Sequence, residues 1–298
     1  MDYLEKKIKE NKPNIKQSTL NAYLQNIKRT YILLKVEIDK NNLILLENKK
    51  EITKLFSNRK YTTMRNIYNA IIVSLQSIDG DKQVIDEYVK DRDEFNDLYK
   101  NWVVLNEKSP TQKLNWISMK EINLILEYTK TFDRQKHLLL SLFLKYPARN
   151  SFRNLQIITY SRYKKKSEAE KIESNYFIKT QKPTRYWFSL GNYKTSGTYG
   201  VKLISIDKSF NKDIGAYLRK TKKTSYLFTN DDNAPFTTNE FTKYFNNIFK
   251  STGKNISTSL LRHIIVSEEF GDSKKKQEEL ASNSGHSLKT SNDYIKYD

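Results

Sequence analysis

Five positions in this chain carry side chains suited to gathering around a negatively charged oxygen. They are Arg149 in YPARNSFRNL, Lys194 in NYKTSGTYG, Arg262 in SLLRHIIVS, and His286 and Tyr294 in the closing stretch GHSLKTSNDYIKYD. Guanidiniums stay charged at any working pH and present donors in a fixed fork, so a pair of them grips an oxyanion firmly. A phenol ionises at about pH 10 and becomes a nucleophile only where its surroundings favour the phenolate. Singly, each residue has an ordinary explanation. An arginine at a helix end is commonly a cap or an ion pair, a hairpin lysine is commonly solvated, and a tyrosine near a terminus is commonly a surface aromatic.

Charge says which anion such a group would meet. The 298 residues contain 53 Lys and Arg against 34 Asp and Glu, a net charge of +19, with a pI near 9.6. A field of that sign attracts polyanions, nucleic acid above all. Hydrophobic residues make up only 37%, but 12% of the chain is aromatic, and large rings compensate for a lean core. With no cysteine, disulfides and thiolate metal sites are excluded. No apolar run approaches the roughly 20 residues of a membrane span, and MDYLEKKIKE lacks the core of a signal peptide. The expectation is an intracellular protein without membrane contact that meets nucleic acid.

Elements that would position the five residues follow from periodicity. Leu20, Tyr23, Leu24, Ile27, Tyr31 and Leu34 share one helical face, and Met64, Ile67, Tyr68, Ile71 and Leu75 share another. A third helix is expected from Val84 to Val103. Lys28, Arg29, Arg59 and Arg65 flank these stripes, as solvated charges or phosphate contacts. NEKSPTQK, from Asn106 to Lys113, has the polarity of a linker, which divides the chain into 1–109 and 110–298. Beyond it, Ser118 and Glu121 form a capping-box pair, and HLLLSLFLK, within a helix from Arg134 to Lys145, is apolar nearly all round and should be buried.

Four short β-branched and aromatic runs come next, LQIITY, NYFIKT, RYWFSL and GVKLISI, the last two joined by GNYKTSGTYG as a hairpin connection. Helical patterns return at Lys208 to Lys220, Thr237 to Lys250, Ser257 to Phe270 and Ser273 to Ser282. The lysine runs 164–166 and 274–276 read as solvated loops or helix starts, or as contacts to a DNA backbone. The expected fold is mainly α with a small antiparallel β-sheet.

Taken in order, Arg149, Lys194, SLLRH from Ser259 to His263, GHS from Gly285 to Ser287, and Tyr294 resemble the tyrosine recombinase, or phage-type integrase, family. The hairpin and the GHSLKTSNDY ending look most like versions from eukaryotic viruses and mobile elements. The resemblance implies a helical core-binding domain at 1–109 that clamps DNA, and a DNA breaking-rejoining catalytic domain at 110–298. It also implies cleavage of host or viral DNA through a covalent 3′-phosphotyrosine, needing neither cofactor nor metal. Arg149 and Arg262 would hold the pentacoordinate phosphorane, Lys194 would protonate the leaving 5′-oxygen, and His286 would hydrogen-bond a phosphoryl oxygen. Tyr294 would be the nucleophile, carried on a short terminal segment.

Two departures from the family's pattern stand out, and two of the matched residues have competitors. Ser259 occupies a position where the family usually has His or Lys, and serine is a poor proton shuttle. Ser151 and Phe152 stand where an acidic residue often orients the first arginine. Tyr297 competes with Tyr294 as nucleophile, and Arg153 is a weaker substitute for Arg149. Double-stranded DNA is the expected partner, with a monomer in free solution assembling to a tetramer on it. Two alternatives remain at this level: a type IB topoisomerase, and a catalytically impaired, recombinase-derived DNA-binding protein.

Overall fold

The protein is described here from a computed structural model, which covers residues 1–148, 150–180, 185–221 and 224–283. The chain divides into two compact units, Met1–Glu107 and Lys108–Asp298.

The first unit is helical: α1 (Asp2–Asn11), α2 (Gln17–Leu34), α3 (Lys49–Leu55), α4 (Tyr61–Ser77) and α5 (Lys82–Val104). Helix α4 is its axis. NAIIVSLQS gives it apolar or small residues on nearly every side, Ala70 to Leu75 are all buried, and α1, α2 and α5 pack around it. Asp81 starts α5 by accepting from the Gln83 and Val84 amides, filling donors that a helix N-terminus leaves open.

In the second unit, Ser109 and Gln112 form a reciprocal capping box with Pro110 at the first helical position, so half of the expected linker is a helix, α6 (Pro110–Asn115). The Ser118–Glu121 box likewise starts α7 (Met119–Phe132). Helix α8 (Arg134–Lys145) runs through the core, with Leu138, Leu139, Leu140, Leu142 and Phe143 buried, as its apolar composition dictates. Phe143 meets Phe152 edge-on at 5.3 Å and Phe245 at 5.0 Å, and Phe152 meets Phe188 at 5.2 Å. These rings join α8 to the sheet and to α13 (Thr238–Ile248).

The sheet is β1 (Leu155–Thr159), β2 (Asn175–Lys179), β3 (Tyr186–Leu190) and β4 (Lys202–Ser205), in that spatial order. Here the antiparallel expectation needs amending, because β1 and β2 run parallel while β2–β3 and β3–β4 are antiparallel, which makes the sheet mixed. Parallel neighbours need a crossover of about a dozen residues or more. Helices α9 (Tyr160–Lys164) and α10 (Glu168–Glu173) supply it, the second begun by a Ser167–Glu170 capping box. Side chains alternate across the sheet as its period of two demands. Phe177 and Phe188 face the main core, while Tyr176 and Ile178 pack with Tyr163 on the other side.

Register places Leu155, Asn175, Leu190 and Lys202 in one row across one end of the sheet. The segment entering β1, the start of β2 and the β3–β4 connection therefore lie at that end. The connection contains a single turn, α11 (Ser196–Tyr199), closed at Gly200, whose φ of +64° suits a residue without Cβ. Helix α12 (Lys208–Lys220) follows. The final described helix, α14 (Thr258–Asn283), is continuous, where two helices separated near Gly271 were expected. A Cβ at Gly271 would meet nothing, the surrounding residues are largely exposed, and DSKKKQEEL is rich in helix formers, so one glycine there does not break the helix.

Candidate active site

Arg149, His286 and Tyr294 lie outside the described residues, as do Tyr297 and the GHS turn. Lys194, Ser259 and Arg262 are described, and the structure shows how the segments that bear them are held.

Arg262 sits in the second turn of α14, half-buried, with its Nε donating to the Pro147 carbonyl at 2.7 Å. That bond fixes the plane of the guanidinium against the stretch leading to position 149. One turn earlier, buried Thr258 donates from Oγ1 to the Asn150 side-chain oxygen at 2.7 Å. The residues bracketing position 149 are thus both bonded to the helix that carries Arg262. Ser259, next to Thr258, is exposed.

A second junction joins this stretch to the lysine. Asn175, the first residue of β2 and only 8% exposed, donates from Nδ2 to the Ser151 carbonyl at 2.9 Å and to the Asn192 carbonyl at 3.0 Å. Its Oδ1 accepts from the Asn192 amide at 2.9 Å. One side-chain amide therefore clasps both backbone groups of Asn192 and holds them beside Ser151. Lys194 follows two residues later, exposed, in a connection closed on itself by the Tyr193 hydroxyl donating to Gly200 at 2.8 Å.

The base of that connection is pressed close to the end of α10. A Cβ on Gly191 would fall 1.8 Å from the Lys171 carbonyl oxygen, so only glycine fits. The Gly191 amide donates to Ser174, and the Asn192 side chain to Glu173.

Other charged and phenolic groups in this unit have separate tasks. Arg153 donates to the Phe236 carbonyl at 2.8 Å, which gives it a structural role at the entry to β1. Ser151 and Phe152 are buried, Phe152 in the aromatic core. Lys145 pairs with Asp207, and the lysine, with help from the Phe210 amide and the Ser209 hydroxyl, holds that carboxyl well below the usual carboxylate range. Burial, and then Asp207, raises the Tyr146 phenol above its ordinary value, so Tyr146 stays neutral. Among the described residues no group of three or more His, Cys, Asp or Glu could hold a metal, and no helix is long and apolar enough to cross a membrane. Two shallow depressions, along α5 from Lys82 to Lys90 and along α1 from Asp2 to Glu10, are walled mainly by charged side chains and contain no candidate residue.

Sequence reading missed the groups that do the holding: Thr258, Asn150, Asn175 and Asn192. The available signal was an asparagine at the head of a strand, a residue type that strands disfavour.

No protein-family model matches the chain, and no curated protein is a significant relative. Likeness appears at the level of solved structures. The Tn1549 transposon integrase in complex with circular intermediate DNA superposes with a TM-score of 0.53 at 14% identity, over 99% of this chain and 94% of that one. An arginine-to-lysine variant of the same integrase, on another circular intermediate DNA, gives 0.51 at 13% identity over the same shares. A XerA recombinase aligns over 100% of this chain and 94% of its own, at 14% identity, but its TM-score of 0.36 is too low to carry an argument. At such identities the likeness is one of architecture, and the conclusion it supports is that this chain shares the mainly helical, small-sheet fold of that transposon integrase.

Proposed function

We propose that the protein is a site-specific DNA recombinase or integrase that cuts and rejoins DNA through a covalent 3′-phosphotyrosine. The observation that carries this reading is the double attachment of α14 to the residues on either side of position 149. It brings the second arginine's helix to the segment of the first, in a chain whose fold is that of an integrase solved on DNA.

In this reading Arg149 and Arg262 grip the non-bridging oxygens of the scissile phosphate, and their hold strengthens as charge builds in the phosphorane. Tyr294 gives its phenolic proton to solvent water, its oxygen bonds to phosphorus, and the bond to the 5′-oxygen breaks. Lys194 gives that oxygen a proton, and His286 hydrogen-bonds a phosphoryl oxygen. The 5′-hydroxyl of the same or another strand then attacks the phosphotyrosine and releases the tyrosine. Phosphate-bond energy is conserved throughout, so no nucleotide or metal is required. The first unit serves as a core-binding clamp on duplex DNA, and recombination proceeds in a tetramer assembled on it. The work is done wherever host or viral DNA lies. Exposed Ser259, in place of a histidine or lysine, supports a second reading, a recombinase-derived DNA-binding protein with impaired catalysis.

Incubation with a DNA library carrying nicks that trap the covalent intermediate tests the proposal. Wild-type protein should become attached to DNA in the presence of EDTA, and Tyr294→Phe should lose attachment while still binding DNA. Binding without attachment by wild type would favour the impaired reading. Attachment that survives Tyr294→Phe but not Tyr297→Phe would move the nucleophile. Relaxation of supercoils without site preference would point to a type IB topoisomerase.

A further inference from the structure

We infer that Asn175 is a positioning residue for Lys194: its side-chain amide sets the register of the lysine connection against the segment that carries Arg149. The inference rests on the recombinase reading above and adds to it a residue outside the expected catalytic set.

Asymmetry in how the two segments are secured supports this. The stretch 147–152 has its own anchors, through Pro147 to Arg262, through Asn150 to Thr258, and through Phe152 in the aromatic core. The lysine connection is bonded at its base to the α10–β2 junction, by Gly191 to Ser174 and by Asn192 to Glu173. Those bonds hold it to its own neighbours in the sheet. Asn175 is what relates it to the arginine segment, because one amide holds Asn192 by both backbone groups and Ser151 by its carbonyl. A planar amide with both ends engaged transmits position in a way that a single hydroxyl cannot. Proton delivery is steep in geometry, and a misplacement of about 1 Å costs on the order of 100-fold in rate.

The carboxamide is also the one group of this shape that fits. Aspartate at 175 would keep an acceptor for the Asn192 amide but set a carboxylate against two carbonyl oxygens. Alanine would leave three backbone groups, the buried Ser151 carbonyl among them, without this partner.

Leaving-group chemistry separates positioning from mere support. A substrate whose bridging 5′-oxygen is replaced by sulfur departs as a thiolate and needs no proton. Single-turnover attachment should therefore be measured on oxygen and sulfur substrates for full-length wild type, Lys194→Ala, Asn175→Ala and Asn175→Asp. The Asn175 variants should lose about 100-fold on the oxygen substrate and recover most of it on the sulfur one, as Lys194→Ala does. Equal losses on both substrates in a folded variant, or no loss on either, overturn the inference. Should Asn175→Ala fail to fold, the nearly isosteric Asn175→Asp decides. Hydrogen exchange on the wild type gives a readout free of activity: the Asn192 amide should be protected, and exchange at the rate of an open loop overturns the clasp. Wild-type protein with a protected Asn192 amide but no DNA attachment overturns the functional reading, and with it the catalytic role of Asn175, while the clasp itself stands.

Discussion

Two side-chain amides in the second unit make the same clasp for different ends. Gln135, at the start of α8, donates to the Thr229 carbonyl at 2.9 Å and accepts from the Thr229 amide at 3.1 Å. It also joins the hydroxyls of Tyr217 and Tyr244. Asn175 holds both backbone groups of Asn192 in the same fashion and reaches Ser151 as well. The bonds are alike in kind and length. What differs is the cargo. Thr229 lies in a segment with no candidate residue, whereas Asn192 stands two positions before Lys194 and Ser151 two after Arg149. A polar network is thus read not by its strength but by what stands on the backbone it fixes.

The largest effect should come from breaking the first clasp. Gln135→Ala strands both backbone groups of Thr229 and should lower stability by about 2–4 kcal/mol, at roughly 1 kcal/mol for each lost bond. Denaturant unfolding measures that loss. The ratio of attachment rates on sulfur and oxygen substrates should stay at the wild-type value, and a ratio that moves as far as it does in Asn175→Ala would erase the contrast between the two clasps.

A smaller stability change, with a larger change in rate, is expected at the other anchor of the arginine segment. Thr258→Val removes the donor to Asn150 and should cost about 1 kcal/mol, yet slow attachment by roughly tenfold to 100-fold on both substrates. Thr258→Ser, which restores the hydroxyl, should recover most of the rate. A Val variant as fast as wild type would show that the Asn150 bond is not needed to hold that segment.

The smallest effect appears only in alkali. Burial, and to a lesser degree Asp133, pushes the Tyr217 phenol up to about 12 from its ordinary value of 10.0. The folded protein keeps a proton there that the unfolded chain releases first. The contribution of Tyr217 to stability is therefore fully present below about pH 10 and is lost as pH rises through about 12. Unfolding midpoints measured across that window should fall less steeply in Tyr217→Phe than in wild type. Parallel curves would place the phenol in water.

Much of this architecture is legible in local sequence. The bounds of α8 and α12 were expected where they are found, and the Ser118–Glu121 box starts α7 as its spacing demands. Such signals act within a turn or two, and nothing distant overrules them. Ser109, Pro110 and Gln112 gave a signal of the same kind inside NEKSPTQK, overlooked because the composition there reads as a linker. Long-range partnership is harder to read. Strand runs such as LQIITY and NYFIKT do not state their direction, which is set by the α9–α10 crossover between them. Gly271 looks like a stop, but a lone glycine in an exposed helix costs only about 1 kcal/mol, and α14 continues through it. Of the candidate site, the residue types and their order were visible, while the asparagines and the threonine that hold the segments were not. A side-chain amide announces nothing until its distant carbonyls are known.

The bonds around the candidate site span very different lengths of chain. Asn175 meets partners 17 and 24 residues away, while Thr258 and Arg262 reach back 108 and 115 residues. On a ribosome adding about 5–20 residues per second, the lysine connection is complete roughly 5–20 s before the arginine helix has been made. During that interval the first arginine's segment waits without either of its attachments to α14, and chain entropy opposes any early substitute for such distant closures. A nascent chain stopped before Thr258 thus owns a finished loop beside an unanchored segment. Only a chain extended through Arg262 can make both attachments, so the arginine side of the candidate site closes after the lysine side.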